Sequence, residues 1–287
     1  MSSMGYLGPA GTFTEEIALI YVQEIESLQL QEFKSIDGII EQVAAGQLNQ
    51  GIVPLENSLE GSVNITLDML VQNEVYINKE IVYPISHCLM VPPGVSDLRD
   101  IQTLYSHSQA FSQCRDYVKN YLPAVEQVPL ESTAAAAQRV ASEDKRIAAI
   151  APARAADLFG LRIMAADIQD GGGADKNGNM TRFVVVSSGD HHFTGKDKTS
   201  IIFAIKDGPG SLYGVLGIFA HRNINLTRIE SRPSRQSLGE YLFFIDFEGH
   251  KEENNIKEAL EELKEQTKYL KMLGSYPQVK YFTGIRS

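Results

Sequence analysis

At 287 residues the chain is long for one hydrophobic core and suits two or three compact units. Its 43% hydrophobic and 22% charged residues exclude general disorder, and a formal net charge of −10 disfavours nucleic acid and anionic membrane as partners. An anionic ligand would therefore need a local pocket of donors.

No apolar run approaches the roughly 18 residues of a membrane-spanning helix. Met1 to Gly8 shows neither the basic nor the apolar stretch of a signal peptide. Cys88 and Cys114 read as free thiols of a reducing compartment, so a cytoplasmic location is expected.

The first half alternates strands and helices. Gly5-Tyr6-Leu7 is a short strand running into the turn Gly8-Pro9-Ala10-Gly11. Thr12 with Glu15 fits a capping box ahead of a helix carrying Ile17, Ile20, Tyr21 and Ile25. A second helix is expected from about Asp37 to Leu48. The strand Gly51-Ile52-Val53 ends in Pro54-Leu55-Glu56-Asn57-Ser58, where Asn57 or Ser58 would cap a further helix through Val63, Leu67 and Leu70. The same order then recurs: a strand at Leu104-Tyr105, a loop Ser106-His107-Ser108-Gln109, a helix from Ala110 to Tyr117, a helix capped at Glu131-Ser132-Thr133, and a strand Ile147 to Ile150. Phe111 follows Phe13, and Pro152 follows Pro54, at the same interval. Two similar α/β lobes with largely parallel sheets are expected. Val75 to Val91 and Phe183 to Val186 would cross between them. Ligands of such sheets sit beyond the carboxyl ends of the strands, here the cleft between lobes.

Gly189 to Lys196 is polar and turn-rich and reads as a linker. Beyond it a strand at Ser200 to Ile205, a helix at Gly210 to Ala220, strands at Ile224 to Ile229 and Glu240 to Phe247, a helix at Asn255 to Thr267 and a strand at Tyr269 to Leu273 are expected. The order βαββαβ is ferredoxin-like, a separate α+β unit. The expected boundaries are 1–190 for the two-lobed unit, with lobe one about 1–80 plus 166–190 and lobe two about 81–165, then 191–198 for the linker and 199–287 for the last unit.

Candidate chemistry gathers at strand ends. Asn179-Met180-Thr181-Arg182-Phe183 follows a glycine-rich stretch, Gly171 to Gly173 and Gly178, and enters the apolar run Val184-Val185-Val186. It is either a loop entering a strand, or a hydroxyl beside a guanidinium over a cleft, where both donate to a carboxylate or leaving oxygen. Glu56-Asn57-Ser58, Ser106 to Gln109 with Gln113, and Glu131-Ser132-Thr133 each stand where strand gives way to helix. Each serves as cap, as anion contact or as both. His107 has no acidic partner nearby in sequence, and Ser108 lacks the glycines of a nucleophile elbow. The turn Gly8 to Thr12 lets backbone approach a ligand but lacks the lysine of a phosphate loop and the GxGxxG spacing. His87, His107, His191, His192, His221 and His250 fall at no metal-ligand spacing, so no metal or organic cofactor is expected. These residues alone imply a small-anion site, in an enzyme or in a solute-binding sensor.

Taken in order, five segments resemble the prephenate dehydratase family: Gly5 to Phe13; Pro54 to Ser58 with Gly61 and Val63; Ser106-His107 with Gln109 and Gln113; Glu131-Ser132-Thr133; and Asn179 with Thr181-Arg182-Phe183. Pro209-Gly210-Ser211-Leu212 through Leu216, and Glu230-Ser231-Arg232-Pro233, resemble the effector segments of an ACT regulatory domain. Ser211 stands where the family often has Ala, and Ser108 where it often has Pro. The resemblance implies a two-lobed catalytic domain similar to type II periplasmic binding proteins, followed by the ferredoxin-like ACT domain. It implies cofactor-free decarboxylating dehydration of prephenate to phenylpyruvate, inhibited by phenylalanine, with arogenate the alternative substrate. The first strand begins at Gly5, leaving no room for a chorismate mutase bundle, so the monofunctional form is expected.

The resemblance also implies roles. Thr181 would serve the leaving hydroxyl, with Glu56 or Glu131 as the source of the proton. Asn57, Ser106 and Gln113 would be further catalytic donors; from the two-lobe repeat, Asn57 and Ser106 are expected to face one cleft from opposite lobes. Arg182, Phe183, Ser58, Thr12 and Ala10 would surround the substrate. Gly210, Ser211, Leu212, Asn225, Leu226 and Ser231 would hold phenylalanine between two ACT domains of a homodimer, itself expected to pair again.

Overall fold

A computed structural model of the chain describes residues 2–23, 25, 28–143, 146–171, 178–206, 208–234 and 240–279. Strands β1 (Ser2–Leu7), β2 (Leu28–Phe33), β3 (Gln50–Asn57), β4 (Gly61–Ser62) and β5 (Tyr76–Pro84) are interleaved with helices α1 (Phe13–Gln23), α2 (Ile36–Ala44) and α3 (Asn64–Gln72). Then come β6 (Cys88–Val91), β7 (Thr103–Ser106), α4 (Ser108–Gln113), α5 (Arg115–Tyr121), β8 (Glu126–Pro129), α6 (Thr133–Ser142), β9 (Ile147–Ala151), α7 (Ala153–Phe159), β10 (Arg162–Ala165) and β11 (Met180–Ser187). The last unit is β12 (Asp197–Ile205), α8 (Ser211–His221), β13 (Leu226–Pro233), β14 (Tyr241–Glu248), α9 (Asn254–Gln266) and β15 (Thr267–Pro277).

The first sheet has the order β2-β1-β3-β11-β5, with β4 attached to β3, and the second the order β8-β7-β9-β6-β10. Each sets three parallel strands beside an antiparallel fourth. In each sheet that fourth strand comes from a segment that crosses between lobes: β6 follows β5 into the second sheet, and β11 returns to the first. This is the two-lobed α/β architecture. Side-chain caps start several helices, Ser35 at α2 and Ser132 at α6. Two expectations shift. The helix after β3 begins only at Asn64; Asn57 ends β3 and Ser58 opens the turn to β4, so neither caps it. The helix expected from Ala110 to Tyr117 is two, because Cys114 leaves the helical conformation.

The C-terminal sheet has the order β13-β14-β12-β15, antiparallel throughout, which is the ferredoxin-like arrangement. Strand β12 already begins at Asp197, inside the expected linker, and β13 runs on to Pro233. Successive side chains of a strand point to opposite faces. One face, with Ile201, Phe203, Ile245 and Phe247, is covered by α8 and α9. The other, with Ile202, Phe244, Leu273 and Tyr276, shares a single core with Val53, Leu55, Ile77 and Val184 of the first lobe. Gly274 permits this approach: a Cβ there would lie 2.4 Å from the Ile77 carbonyl oxygen.

Arg182 leaves β11 into this contact. Its Nη1 donates to Asp246 Oδ2 at 2.5 Å and its Nη2 to the Tyr276 hydroxyl at 2.7 Å. Its Nε lies 2.8 Å from Glu80. Ser200 donates to Asp246 at 2.5 Å, and Lys198 pairs with Glu80 at 2.8 Å. Cations and anions thus balance in a dry site, the condition under which buried charge is tolerated. Burial pushes the Asp246 carboxyl up, but Arg182 and Arg228, with hydrogen bonds from Ser200 and Arg182, pull it further down, below the usual aspartate range. The stability this contributes is complete above about pH 4, the ordinary aspartate value, and is lost as pH falls through the lower folded value. Arg182→Leu should cost about 3–5 kcal/mol, because Asp246 and Glu80 lose their counter-charge. The double variant R182L/D246L should recover part of that. Urea unfolding of the parent, both single variants and the double variant measures it, and a cost for R182L below about 1 kcal/mol would mean the cluster is solvated.

Candidate active site

A cleft of about 740 Å³ opens between the two α/β lobes. It lies at the carboxyl ends of β1, β3 and β7, with Leu7, Asn57 and His107 on its wall. The first residues of α2 and α6 (Ile36, and Thr133 with its cap Ser132) also reach it. Free N–H groups at helix N-termini favour anions. Phe13, Val63 and Phe183 give the cleft an apolar side. Among the described residues Lys34 is the one lysine or arginine that lines it.

Strand β3 carries a bulge beside the cleft. Thr181 lies opposite Asn57 and Phe183 opposite Pro54, so three steps along β3 match two along β11. The extra residue turns the strand over. Pro54 and Asn57 both line the cleft, while Leu55 joins the core shared with the C-terminal sheet. Glu56 points to the C-terminal unit, its carboxylate 3.2 Å from Arg228 and 3.9 Å from Arg182. The adjoining β4 links the two environments. Ser62 lines the cleft while its hydroxyl accepts from Arg228 at 2.7 Å and donates to Glu230 on β13.

A chain of amide hydrogen bonds crosses the cleft floor. Asn57 Oδ1 accepts from the backbone N–H groups of Leu59 at 2.9 Å and Glu60 at 3.1 Å. A backbone N–H can only donate, so this atom is the oxygen and Nδ2 is a donor. Nδ2 reaches Thr181 Oγ1 at 2.9 Å and Asn179 Oδ1 at 2.6 Å. Asn179 Nδ2 then donates to Gln113 Oε1 at 2.9 Å, and Gln113 Nε2 to Glu60 Oε1 at 3.3 Å. Thr181 is therefore an acceptor toward Asn57, and its own proton is not used in that bond.

Of the residues expected around the substrate, Thr181, Asn57, Gln113, Glu131, Phe183 and Thr12 line the cleft. Five others stand elsewhere. Ser106 is fully buried, and its hydroxyl donates to the Ile150 carbonyl at 2.7 Å, tying β7 to β9. Gln113, not Ser106, is thus the residue of the second lobe that reaches toward Asn57. Ser58 Oγ accepts from the Met180 N–H at 2.9 Å and so anchors the start of β11. The Ala10 N–H donates to Glu32 at 3.2 Å. Arg182 and Glu56 face the C-terminal unit. Residues 172–177 of the glycine-rich stretch lie outside the described residues.

His87, Glu60 and Lys34 line the cleft without having been expected there. His107, discounted above as part of a triad, also lines it, and its Nδ1 accepts the Gln109 N–H at 3.3 Å as the cap of α4. The available signal for His87 was a polar side chain interrupting the apolar run Ile85 to Val91. For Lys34 it was a cation next to the cap Ser35.

In the C-terminal unit Gly210 (φ +81°) caps α8, with Ser211 and Leu212 following. Asn225 and Leu226 lie past the other end of this 11-residue helix, roughly 16 Å away at about 1.5 Å per residue. Sheet register puts Ser231, opposite Phe243 and hence Phe203, at the Gly210 end, and Leu226, opposite Phe247 and hence Thr199, at the other. One chain does not gather these six residues.

A family model described as Prephenate dehydratase matches residues 4–191, and one described as ACT domain matches residues 199–265. The chain is 44% identical over 276 residues to the bifunctional chorismate mutase/prephenate dehydratase of Aquifex aeolicus, covering 96% of this chain and 73% of that one. It is 40% identical over 278 residues to the prephenate dehydratase of Methanocaldococcus jannaschii, covering 95% and 97%. The crystal structure of prephenate dehydratase in complex with L-Phe from Arthrobacter aurescens matches with a TM-score of 0.86 at 37% identity, over 99% of this chain and 93% of that one.

Proposed function

The chain belongs to the prephenate dehydratase family and carries an ACT domain, and on that premise we propose how its cleft performs the conversion of prephenate to phenylpyruvate. The observation that carries the reading is the Asn57–Thr181 hydrogen bond, in which Thr181 accepts, so that its own proton is not engaged there and has no acceptor among the described residues.

Prephenate is a dianion, and its dehydration consumes one proton. The bond from ring to carboxylate breaks and its electron pair enters the ring. The ring hydroxyl leaves with the electrons of its C–O bond and takes up the proton as water. Carbon dioxide and phenylpyruvate result, and aromatisation supplies much of the driving force. The protein must hold the dianion in one pose and deliver the proton. Lys34 and the N-termini of α2 and α6 meet the carboxylates, which matters in a chain of net charge −10. Thr181 donates to the departing oxygen, and Asn57 behind it steadies the charge that develops. Threonine is a weak acid, so its proton is replaced from solvent through a relay, for which Glu60 of the first lobe and Glu131 of the second both line the cleft. Phenylpyruvate formation from prephenate, run beside arogenate, tests the reading directly.

Phenylalanine binds between ACT domains of two chains in this proposal. Gly210 and Asn225 stand at opposite ends of α8, so two-fold pairing can set the Gly210 loop of one protomer against Asn225 of its partner. That dimer pairs again through the catalytic lobes. No helix among the described residues is long and apolar enough to cross a membrane, and we place the enzyme in the cytoplasm.

Thr181→Ala should lower kcat by about 10²–10⁴-fold and KM far less, as expected for a lost proton donor. Near-normal turnover would remove Thr181 from the chemistry. Lys34→Ala should raise KM about fivefold, since an exposed charge contact is worth up to about 1 kcal/mol. An unchanged KM at low salt would place the dianion elsewhere. Asn225→Ala should raise the phenylalanine concentration for half-inhibition roughly tenfold, the lower range for a hydrogen bond to a charged ligand. Inhibition curves that superpose would move the effector away from the turn before β13.

A further inference from the structure

His87 is buried at the foot of the cleft, 3% exposed, on the segment that crosses between lobes. Its backbone is clamped there: its N–H donates to Gln169 Oε1 at 2.9 Å and its carbonyl accepts from Ile168 at 3.0 Å. Its ring meets Phe13 edge-on, with centroids 5.6 Å apart. Nε2 lies 2.8 Å from Gln113 Oε1, while Nδ1 is buried and has no partner among the described residues.

The amide chain decides which nitrogen carries the proton. The Leu59 and Glu60 amides make Asn57 Nδ2 a donor, so Asn179 presents its oxygen to Asn57 and its nitrogen to Gln113. Gln113 must then present its oxygen, and an oxygen can be met only by a donor. His87 Nε2 therefore bears hydrogen, and Nδ1 is a bare lone pair. A second proton would have to sit on that buried, unpartnered Nδ1. Burial pushes the imidazole below its usual pKa, against the opposing pull of the Gln113 hydrogen bond.

We propose that His87, as the neutral Nε2–H tautomer, is a positioning residue for Thr181, acting through Gln113, Asn179 and Asn57. The backbone amides of Leu59 and Glu60 fix the chain at the first-lobe end, and His87 fixes it at the other. Without a donor at His87, the Gln113 amide is held only by Asn179 and by a long 3.3 Å bond to Glu60, and its reversal would set two NH₂ groups face to face between Gln113 and Asn179. The Asn57 donor would keep its polarity, set by the Leu59 and Glu60 amides, but lose the far-end support that holds it in place against Thr181. The inference rests on the dehydratase reading for its kinetic consequence but not for its structural one.

The test has two arms. In the first, long-range ¹⁵N–¹H correlation spectra of histidine-labelled full-length protein report the tautomer, whether or not the protein is active. The Nε2–H form is expected for His87, and an Nδ1–H form or a doubly protonated ring near neutral pH overturns the proposal. In the second, His87→Leu, which removes the donor, should lower kcat by about 10²-fold with KM little changed, the scale of a small misplacement at a reacting centre. His87→Gln, whose side-chain nitrogen can take the place of Nε2, should recover most of the loss. The proposal fails if H87L keeps parental kcat, or if H87Q is as impaired as a folded H87L. Should H87L not fold, H87Q and the tautomer decide. If the parent itself makes no phenylpyruvate, the dehydratase reading falls while the tautomer still tests the chain of hydrogen bonds.

Discussion

Strand β11 has two faces, and each is committed to a different domain. Thr181 and Phe183 look into the cleft, while Arg182 and Val184 look into the contact with the C-terminal sheet. The cause is the two-residue period of any strand, which sends neighbours in sequence to opposite sides. Two consecutive residues therefore serve two purposes without compromise between them. The buried cluster of Arg182, Asp246, Glu80 and Lys198 holds the strand from behind. The Asn57 amide holds the same strand's Thr181 from beside it. Strand β13 adds a second set of ties, through Arg228 to Glu56 and through Arg228 and Glu230 to Ser62 on the cleft rim. The back wall of the cleft and the front of the ACT sheet are thus joined by charge as well as by apolar packing.

The cleft itself solves an electrostatic problem with few full charges. Its wall carries a single lysine among the described residues, although the ligand proposed for it is a dianion. Helix N-termini and oriented amides supply the rest of the positive potential, and they do so without the side-chain entropy of additional lysines. Because each amide in the chain from Asn57 to Gln113 has its orientation dictated by the next, the array presents a defined pattern of donors instead of rotating to suit any ligand. That selectivity depends on the two lobes keeping their register, since the chain spans both.

Much of this was readable in the sequence where physics is local and periodic. The recurrent strand–helix order, the crossing segments and the βαββαβ unit follow from patterns of apolar residues, and Ser132 follows from the chemistry of helix caps. What was not readable depends on a single inserted residue or on contacts distant in the chain. The bulge at Leu55 leaves no mark on composition, yet it exchanges the sides of Glu56 and Asn57. Arg182 looked like a cleft residue because Thr181 is one, and its partner Asp246 stands 64 positions away. Ser106 reads as a donor to ligand because a hydroxyl at a strand end looks the same in sequence whether it meets a ligand or the Ile150 carbonyl. His87 carries no motif of its own, and its significance appears only when the neighbouring amides are oriented.

The core shared by the ACT sheet and the first lobe has a consequence for modularity. In sequence the two units meet at a short polar segment and resemble interchangeable parts. In three dimensions Ile202, Phe244, Leu273 and Tyr276 complete a hydrophobic core that otherwise belongs to α2, α3 and the first sheet. Severing the chain near Lys196 would leave one wall of that core open and strand the Arg182 charge without Asp246. A different ACT domain grafted at the same point would have to reproduce an acidic residue, a tyrosine and a glycine in register with β11 and β5. The regulatory unit is a bolt-on part in the order of its residues, but in its folding it is a wall of the catalytic lobe.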